Sequence, residues 1–200
     1  MTGVGEPVDG STPIDDDERD ALIPGHIHTR TELNQWEALN IAQAHQWLGR
    51  RRASNVLSVE FLRELHRRMF GRTWKWAGTF RKSEKNVSPY HWTAAPQLLQ
   101  DLIGNTKAQL EASSGAAQDI DEIAMRFHYQ LVRIHPWPNG NGRHARLATD
   151  ELLKQLHRPR FSWGGGRDLE TAGDARVDYI AALRHADAGD FTPLRSFVRS

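Results

Sequence analysis

The chain has no cysteine among its 200 residues. This absence excludes structural disulfides, catalysis by a thiolate and zinc bound by cysteine ligands. A sequence without cysteine also suits a reducing compartment, so we expect a cytoplasmic protein.

The sequence also lacks a long apolar run and a dominant charge. No stretch approaches the roughly 20 apolar residues of a membrane-spanning helix, so no membrane segment is expected. The 26 basic and 25 acidic residues nearly cancel, so nucleic acid is not an expected partner. Three arginines at positions 50 to 52 are interpreted as cations that complement the end of a helix, with a nucleic-acid patch as the alternative.

Helical periodicity begins at Thr29 and predicts one all-α domain over residues 29–200, with a small β-hairpin. Residues 1–28 lack this periodicity, and we interpret them as an extended N-terminal arm, with a docked segment as the alternative. The stretch "TWKWAGTFRKSEKNVSPYHW" combines aromatic residues, short alternation and polar turn residues. This composition predicts a loop and a small β-hairpin.

Local signals predict where several helices begin, end and bury their apolar faces. Ser58 and the capping-box spacing of Asp119 to Glu122 indicate helix starts. Gly71 is typical of a left-handed helix stop. For the sixth helix, the predicted apolar face runs through Val177, Ile180, Ala181 and Leu183. The last helix is predicted to have Thr192 as its cap and Pro193 as its first residue.

The segment "IHPWPNGNGRHAR", residues 134–146, has the composition of a phosphate-binding loop at the start of a helix. Gly140 and Gly142 permit positive φ, so successive N–H groups around Asn141 can converge on an anion that the helix dipole also favours. Arg143 and Arg146 lie one turn apart on the same face of the following helix, where both can reach a polyphosphate.

His135 precedes this loop and is a candidate general base, because an imidazole can take a proton near neutral pH. Trp137 is interpreted as a core anchor that pins the loop. The alternative is an ordinary helix–loop–helix with Gly and Asn as turn formers, a structural histidine and surface arginines. A metal site built from His128, His135 and His144 is disfavoured, since their spacing matches no compact zinc pattern.

The segment "HPWPNGNGRHAR" resembles the signature of the Fic family, His-x-Phe-x-(Asp/Glu)-Gly-Asn-Gly-Arg-x-x-Arg. Trp137 stands for the Phe, and Asn139 stands for the acidic residue. The stretches "ELHRRMFGRTWKWAGTFR" and "YIAALRHADAGDFTPLRSFV" are similar too, so the resemblance covers roughly residues 30 to 198. In detail the chain resembles the bacterial branch called mobile mystery protein B, which is associated with mobile elements.

The resemblance implies a Fic-type helical bundle with a β-hairpin flap, and transfer of AMP from ATP to a hydroxyl of a target protein. It implies that His135 is the base, that Gly140, Asn141 and Gly142 bind phosphate oxygens, and that Arg143 and Arg146 bind the β- and terminal phosphates. Mg²⁺ would accompany ATP, and Asn139 would bind it weakly or through water. The target would pair with the flap around residues 80–90 by strand addition.

Two other functions stay open within the resemblance. A Fic-like phosphotransferase would move the terminal phosphoryl group, but such members carry Lys where this chain has Gly142. A non-catalytic nucleotide- or protein-binding module is the other alternative, because Asn139 replaces the acidic metal ligand. Many family members also carry an inhibitory helix with Ser/Thr-x-x-x-Glu-Gly/Asn, and here no Glu is followed by Gly or Asn. The resemblance therefore implies that any restraint on Arg146 comes from elsewhere, such as an antitoxin-like regulator or an oligomer contact.

Overall fold

The structure is a computed structural model that describes residues 19–51, 55–85, 87–166, 169 and 173–200. Its α-helices are α1 (Arg30–Gly49), α2 (Val59–Phe70), α3 (Ala95–Ala112), α4 (Ala117–Ile134), α5 (Asn141–Gln155), α6 (Asp174–Asp187) and α7 (Thr192–Val198). A 3₁₀ turn, Trp92–Ala94, leads into α3. No helix in the described ranges is both long enough and apolar enough to cross a membrane.

The predicted mostly helical fold is confirmed, and several predicted helix starts match. Thr29 caps α1 with a complete capping box, because its hydroxyl accepts from Glu32 N–H and the Glu32 carboxylate accepts from Thr29 N–H. Ser58 caps α2 by accepting from Phe61 N–H at 3.1 Å. These caps satisfy backbone donors that a helix cannot satisfy within itself.

Other local predictions were wrong. Helix α4 begins at Ala117, two residues before the predicted cap, and Asp119 lies in its first turn, where it accepts from the Ser114 hydroxyl. Gly71 is right-handed at φ −72°, and an added Cβ would lie 2.5 Å from the Arg67 carbonyl oxygen. This glycine is therefore needed for close approach and not for positive φ. Thr192 is the first residue of α7 and not its cap.

The predicted β-hairpin is not formed in the described part of residues 80–90, which lacks only position 86. The described chain has no strand, and one isolated antiparallel bridge joins Leu22 to Trp74. Side chains satisfy the backbone of this segment in place of a partner strand, because Arg81 donates to the carbonyls of Ser83 and Tyr90. We keep the name flap segment for residues 80–90.

The helices bury two apolar clusters on either side of α4 and α5. The larger cluster joins α1, α2 and α3 to α4 and α5, and the smaller one joins α6 and α7 to the same pair. Helix α6 buries Ala175, Tyr179, Ala182 and Ala186, whereas Val177 is 62% exposed. Ile180 and Leu183 of the predicted face pack against the smaller cluster, whereas Val177 and Ala181 are exposed, so the predicted face was right in part.

The predicted arm divides into two parts. Residues 1–18 lie outside the described residues, so nothing is said of their structure. Residues 21–27 lie on the domain: Ile23 N–H donates to the Thr73 carbonyl at 2.8 Å, and Lys75 N–H donates to the Ala21 carbonyl at 3.0 Å. Ile27 is buried in the larger cluster. These residues of the predicted arm therefore lie against the helical domain, and the division of the chain at residue 28 stays a prediction.

Candidate functional site

The loop between α4 and α5 brings the candidate base to the start of a helix. His135 ends α4 in the left-handed conformation, with φ 51° and ψ 58°. A residue other than glycine seldom adopts this conformation, and such residues concentrate at functional sites. The chain therefore turns sharply after α4. A short loop of five residues, 136–140, then separates His135 from the first residue of α5.

The His135 imidazole is buried and neutral. Burial is the main cause that lowers its pKa to about 3; a backbone hydrogen bond to Val132 opposes this shift, and the nearby charges of Arg81 and Lys85 add to it. Its Nδ1 lies 3.3 Å from the Val132 carbonyl oxygen. Because a carbonyl only accepts, this contact places the proton on Nδ1 and the lone pair on Nε2. The ring thus has the protonation state of a general base at neutral pH.

The glycine of the loop is required by close packing as well as by conformation. Gly140 has φ 76°, and an added Cβ would lie 2.6 Å from the Phe70 ring. Gly142, for which positive φ was also predicted, lies inside α5, and an added Cβ there would be 3.7 Å from Arg146 Nη1. The Arg146 guanidinium therefore lies beside the first turn of α5.

The loop is braced from inside by Asn141 and Trp137. The Asn141 side chain donates to the Trp137 carbonyl at 2.8 Å and accepts from Trp137 N–H at 3.0 Å. Trp137 is fully buried, as the predicted core anchor requires. The side-chain amide of Asn141 thus shapes the loop, and its backbone N–H, at the start of α5, has no acceptor within the helix.

Two buried histidines near the loop are structural. His66 accepts from Gly78 N–H at 2.9 Å, and its other ring nitrogen donates to the Asn139 carbonyl at 3.0 Å. His144 accepts from Trp137 Nε1–H at 3.2 Å and donates to the Leu62 carbonyl at 2.9 Å. Burial lowers the pKa of both rings, to about 4 for His144. Both therefore hold the loop against α2 as neutral groups.

The first motif arginine is held by a carboxylate that the sequence did not single out. Arg143 Nη1 donates to Glu37 Oε2 at 2.6 Å, and its guanidinium lies 4.9 Å from the centre of the Phe70 ring. Glu37 lies on the buried face of α1, together with Leu33, Ala44 and Leu48. A carboxylate on the predicted apolar face of a helix needs a buried partner, and this feature of the sequence could have indicated an ion pair.

Arginines from three helices surround the start of α5. Arg146 lies 5.6 Å from the centre of the Tyr179 ring on α6. One turn earlier on α6, Arg176 is close enough for its pKa to be lowered first by burial and then by Arg146, Arg143 and Arg30. Arg30 is the first residue of α1. These four side chains make the site strongly attractive to a polyphosphate.

The oxygen donors suited to a cation are few. The Asn139 Oδ1 accepts from Gly140 N–H at 2.7 Å, so this amide lies beside the N-cap of α5. Across the described ranges, no group of three or more His, Asp or Glu side chains is arranged to hold a metal ion. His128, one of the histidines considered as a ligand, is buried and bonded to the Tyr179 hydroxyl at 2.9 Å.

A neutral histidine, a glycine turn and a cluster of arginines thus meet at one helix start within a helical domain. Residues 56–153 match the family model described as the Fic/DOC family, and this part of the chain is a Fic/DOC family domain. The finer assignment to the mobile mystery protein B branch stays a prediction.

Similar proteins include two curated relatives. Protein adenylyltransferase fic-1 of Caenorhabditis briggsae is 31% identical over 144 residues, which are 72% of this chain and 26% of the relative. Protein adenylyltransferase Fic of Nematostella vectensis is 28% identical over 188 residues, which are 90% of this chain and 40% of the relative. The chain therefore spans less than half the length of these relatives.

Solved structures show the same fold. Fic-1 from C. elegans superposes with a TM-score of 0.60 at 26% identity, over 81% of this chain and 46% of that one. BepC from Bartonella tribocorum, solved with bound AMPPNP, gives a TM-score of 0.69 at 16% identity, over 92% of this chain and 96% of that one. At this lower identity the likeness concerns the fold alone.

Proposed function

We propose that this chain is a protein adenylyltransferase that transfers AMP from ATP to a hydroxyl side chain of a target protein. The observation that carries the proposal is the adjacency of a neutral, buried His135 to the arginine-lined start of α5. The names of the two curated relatives support the same reaction.

In this reaction His135 Nε2 takes the proton from the target hydroxyl, and the hydroxyl oxygen attacks the α-phosphorus of ATP. An oxygen–phosphorus bond forms as the bond from the α-phosphorus to the bridging oxygen breaks, and pyrophosphate leaves with that electron pair. The N–H groups of Gly140, Asn141 and Gly142 bind phosphate oxygens at the helix start. Arg143 and Arg146 bind the β- and terminal phosphates, where charge accumulates on the leaving group.

Mg²⁺ fits this site as a companion of ATP. The described residues offer it the neutral amide oxygen of Asn139 and no carboxylate set, so the phosphates would supply most of its ligands. When bound, the cation would neutralise part of the charge on the leaving pyrophosphate. Asn139 would hold it weakly or through a water molecule.

The target protein is proposed to dock on the flap segment. An extended peptide can add its backbone to a neighbouring segment, a mode that reads the side chains of the peptide only weakly. Because the described part of the segment forms no strand, such pairing would have to draw its backbone into an extended conformation on binding. An antitoxin-like protein is the proposed regulator, since no Glu in the chain has the inhibitory sequence pattern.

The test is a label-transfer assay on the purified chain, with ATP labelled at the α- or the γ-phosphate. We expect label on protein from α-labelled ATP alone. His135→Ala should retain its fold and nucleotide binding and lose transfer by about a hundred- to ten-thousand-fold, the usual contribution of a general base. The matched control His185→Ala, on the exposed face of α6, should transfer normally.

Three results would overturn the proposal. Label from γ-labelled ATP alone would show a phosphotransferase. No label from either nucleotide, with ATP binding intact, would show a non-catalytic binding module. Full activity of His135→Ala would remove the proposed base.

A further inference from the structure

One buried arginine connects the flap segment to the candidate base. The Arg81 side chain is 0% exposed. Its Nε donates to the His135 carbonyl at 2.8 Å, its Nη1 to the Ser83 carbonyl at 2.8 Å, and its Nη2 to the Tyr90 carbonyl at 2.6 Å. The backbone N–H of Arg81 also donates to the Pro136 carbonyl at 2.9 Å. A single residue thus joins both ends of the flap segment to the loop that carries the base.

Ser88 provides a second connection between the same parts. Its hydroxyl donates to the Arg133 carbonyl in the last turn of α4 at 2.8 Å and accepts from Arg81 Nη2 at 3.2 Å. The flap segment is therefore attached to the loop after α4 through Arg81 and to the last turn of α4 through Ser88. These bonds take the place of the strand pairing that the sequence had predicted.

Burying the Arg81 guanidinium costs desolvation free energy. Its nearest carboxylate, Glu84, is 3.5 Å away and 56% exposed, so backbone carbonyls provide most of its compensation. Burying a charge is unfavourable unless hydrogen bonds compensate for it. An apolar side chain of similar size often stabilises a fold as much as a buried charged one does. The left-handed backbone of His135 is strained. The hydrogen bond from Arg81 to the His135 carbonyl stabilises this conformation, which an apolar side chain at position 81 would not do.

We propose that Arg81 is a positioning residue for the transfer reaction, which holds the left-handed backbone of His135 and fixes the flap segment relative to the base. A target hydroxyl that docks on the flap segment is then presented at a set distance from the imidazole. The inference rests on the proposed function and adds a residue outside the HPWPNGNGRHAR segment to it.

The experiment uses Arg81→Lys, which keeps the charge but removes the fork that reaches three carbonyls. The matched control is Arg199→Lys, because Arg199 also donates to two backbone carbonyls, those of Pro159 and Arg160, away from the site. For Arg81→Lys we expect kcat to fall by roughly a hundredfold, as a small displacement of reacting groups can cause. Affinity for a non-hydrolysable ATP analogue should stay unchanged, and the control should keep both values.

A purely structural role would show a different pattern. It would lower the melting temperature of both variants while the folded fraction kept its kcat, and that result would overturn the proposal. Should Arg81→Lys fail to fold, Ser88→Ala replaces it, with a smaller fall in kcat and unchanged nucleotide affinity expected. Full kcat in a folded Ser88→Ala would then count against the proposal.

Amide hydrogen exchange tests the connection without any transfer reaction. In folded Arg81→Lys or Ser88→Ala, exchange should become faster both in the flap segment and at residues 133–137. Faster exchange confined to the flap segment would overturn the proposed connection. This measurement remains informative even if the wild-type chain transfers no AMP, so failure of the proposed function and failure of this inference are distinguishable.

Discussion

Glu37 on α1 and Arg143 on α5 are 106 residues apart in sequence, and their side chains meet at 2.6 Å. The second oxygen of Glu37 accepts from Trp74 Nε1–H, also at 2.6 Å. The carboxylate is 6% exposed and the guanidinium 18% exposed, so this pair lies largely out of water. Helix α1, which precedes the matched family region, therefore sets the position of the first motif arginine.

Glu37→Gln should reduce both stability and transfer. Removing one partner of a buried ion pair leaves the other charge uncompensated, which commonly costs about 3 to 5 kcal/mol of stability. The glutamine amide keeps the shape of the carboxylate and one acceptor oxygen, so the cost of this change should lie toward the lower end. Arg143 then loses its fixed direction, so affinity for ATP should fall. Melting temperature and ATP affinity check this, with the surface change Glu64→Gln as control. A large gain in transfer would instead identify Glu37 as an inhibitor.

Arg143→Ala should weaken nucleotide binding and slow transfer together. The guanidinium is proposed to contact phosphate in both the bound substrate and the transition state, so its loss affects both measurements. A hydrogen bond to a charged group contributes roughly 1.5 to 3 kcal/mol, which predicts about a tenfold to hundredfold loss of ATP affinity. The control is Arg184→Ala, an exposed arginine on α6. Unchanged ATP affinity in Arg143→Ala would contradict the proposed contact between Arg143 and phosphate.

Asn139→Asp should lower the Mg²⁺ concentration needed for half-maximal transfer. An aspartate adds a negative charge beside the cation and keeps an oxygen for the Gly140 N–H bond that is seen at 2.7 Å. A tenfold shift of the midpoint corresponds to about 1.4 kcal/mol. A magnesium titration at fixed ATP measures it, and Asn105→Asp on the surface of α3 is the control. An unmoved midpoint with a lower maximal rate would show that Asn139 is not a metal ligand.

Acid should destabilise the fold in the pH range set by its buried histidines. Burial lowers the pKa to about 3 for His128 and His135 and to about 4 for His144, from the usual 6.5. Between these values the unfolded chain binds protons that the folded chain does not, so stability falls as pH drops from about 6.5 toward 3. Asp150 opposes this in part, since burial raises its pKa from 3.8 to about 6.

Melting temperatures between pH 7 and pH 4 test this dependence. His128→Gln should make the melting temperature fall less with decreasing pH, because it removes one of the groups that bind a proton in this range only after unfolding. His185→Gln, whose side chain is 60% exposed in the folded protein, should keep the wild-type slope. A melting temperature that does not change across this range would contradict the linkage.

Most of the helices could be predicted from the sequence, because their signals are local. Capping residues such as Thr29 and Ser58 act on backbone groups within one turn, and apolar periodicity is a property of one segment. The boundary at Asp119 was missed because Ala116 and Ala117 extend the helix without any capping side chain. The flap segment was read as a hairpin because its composition is typical of strands, whereas Arg81 in fact satisfies its backbone.

The sequence by itself determined the loop from His135 to Arg146, since its glycines, base and arginines lie within twelve residues and their chemistry is evident from their order. Only the tertiary structure decided what surrounds that loop. Glu37, Arg81, Arg176 and Tyr179 come from other helices and loops, and each acts through a contact between residues far apart in the chain. Such contacts leave no local periodicity, because their energies depend on burial and distance that only the packed helices establish.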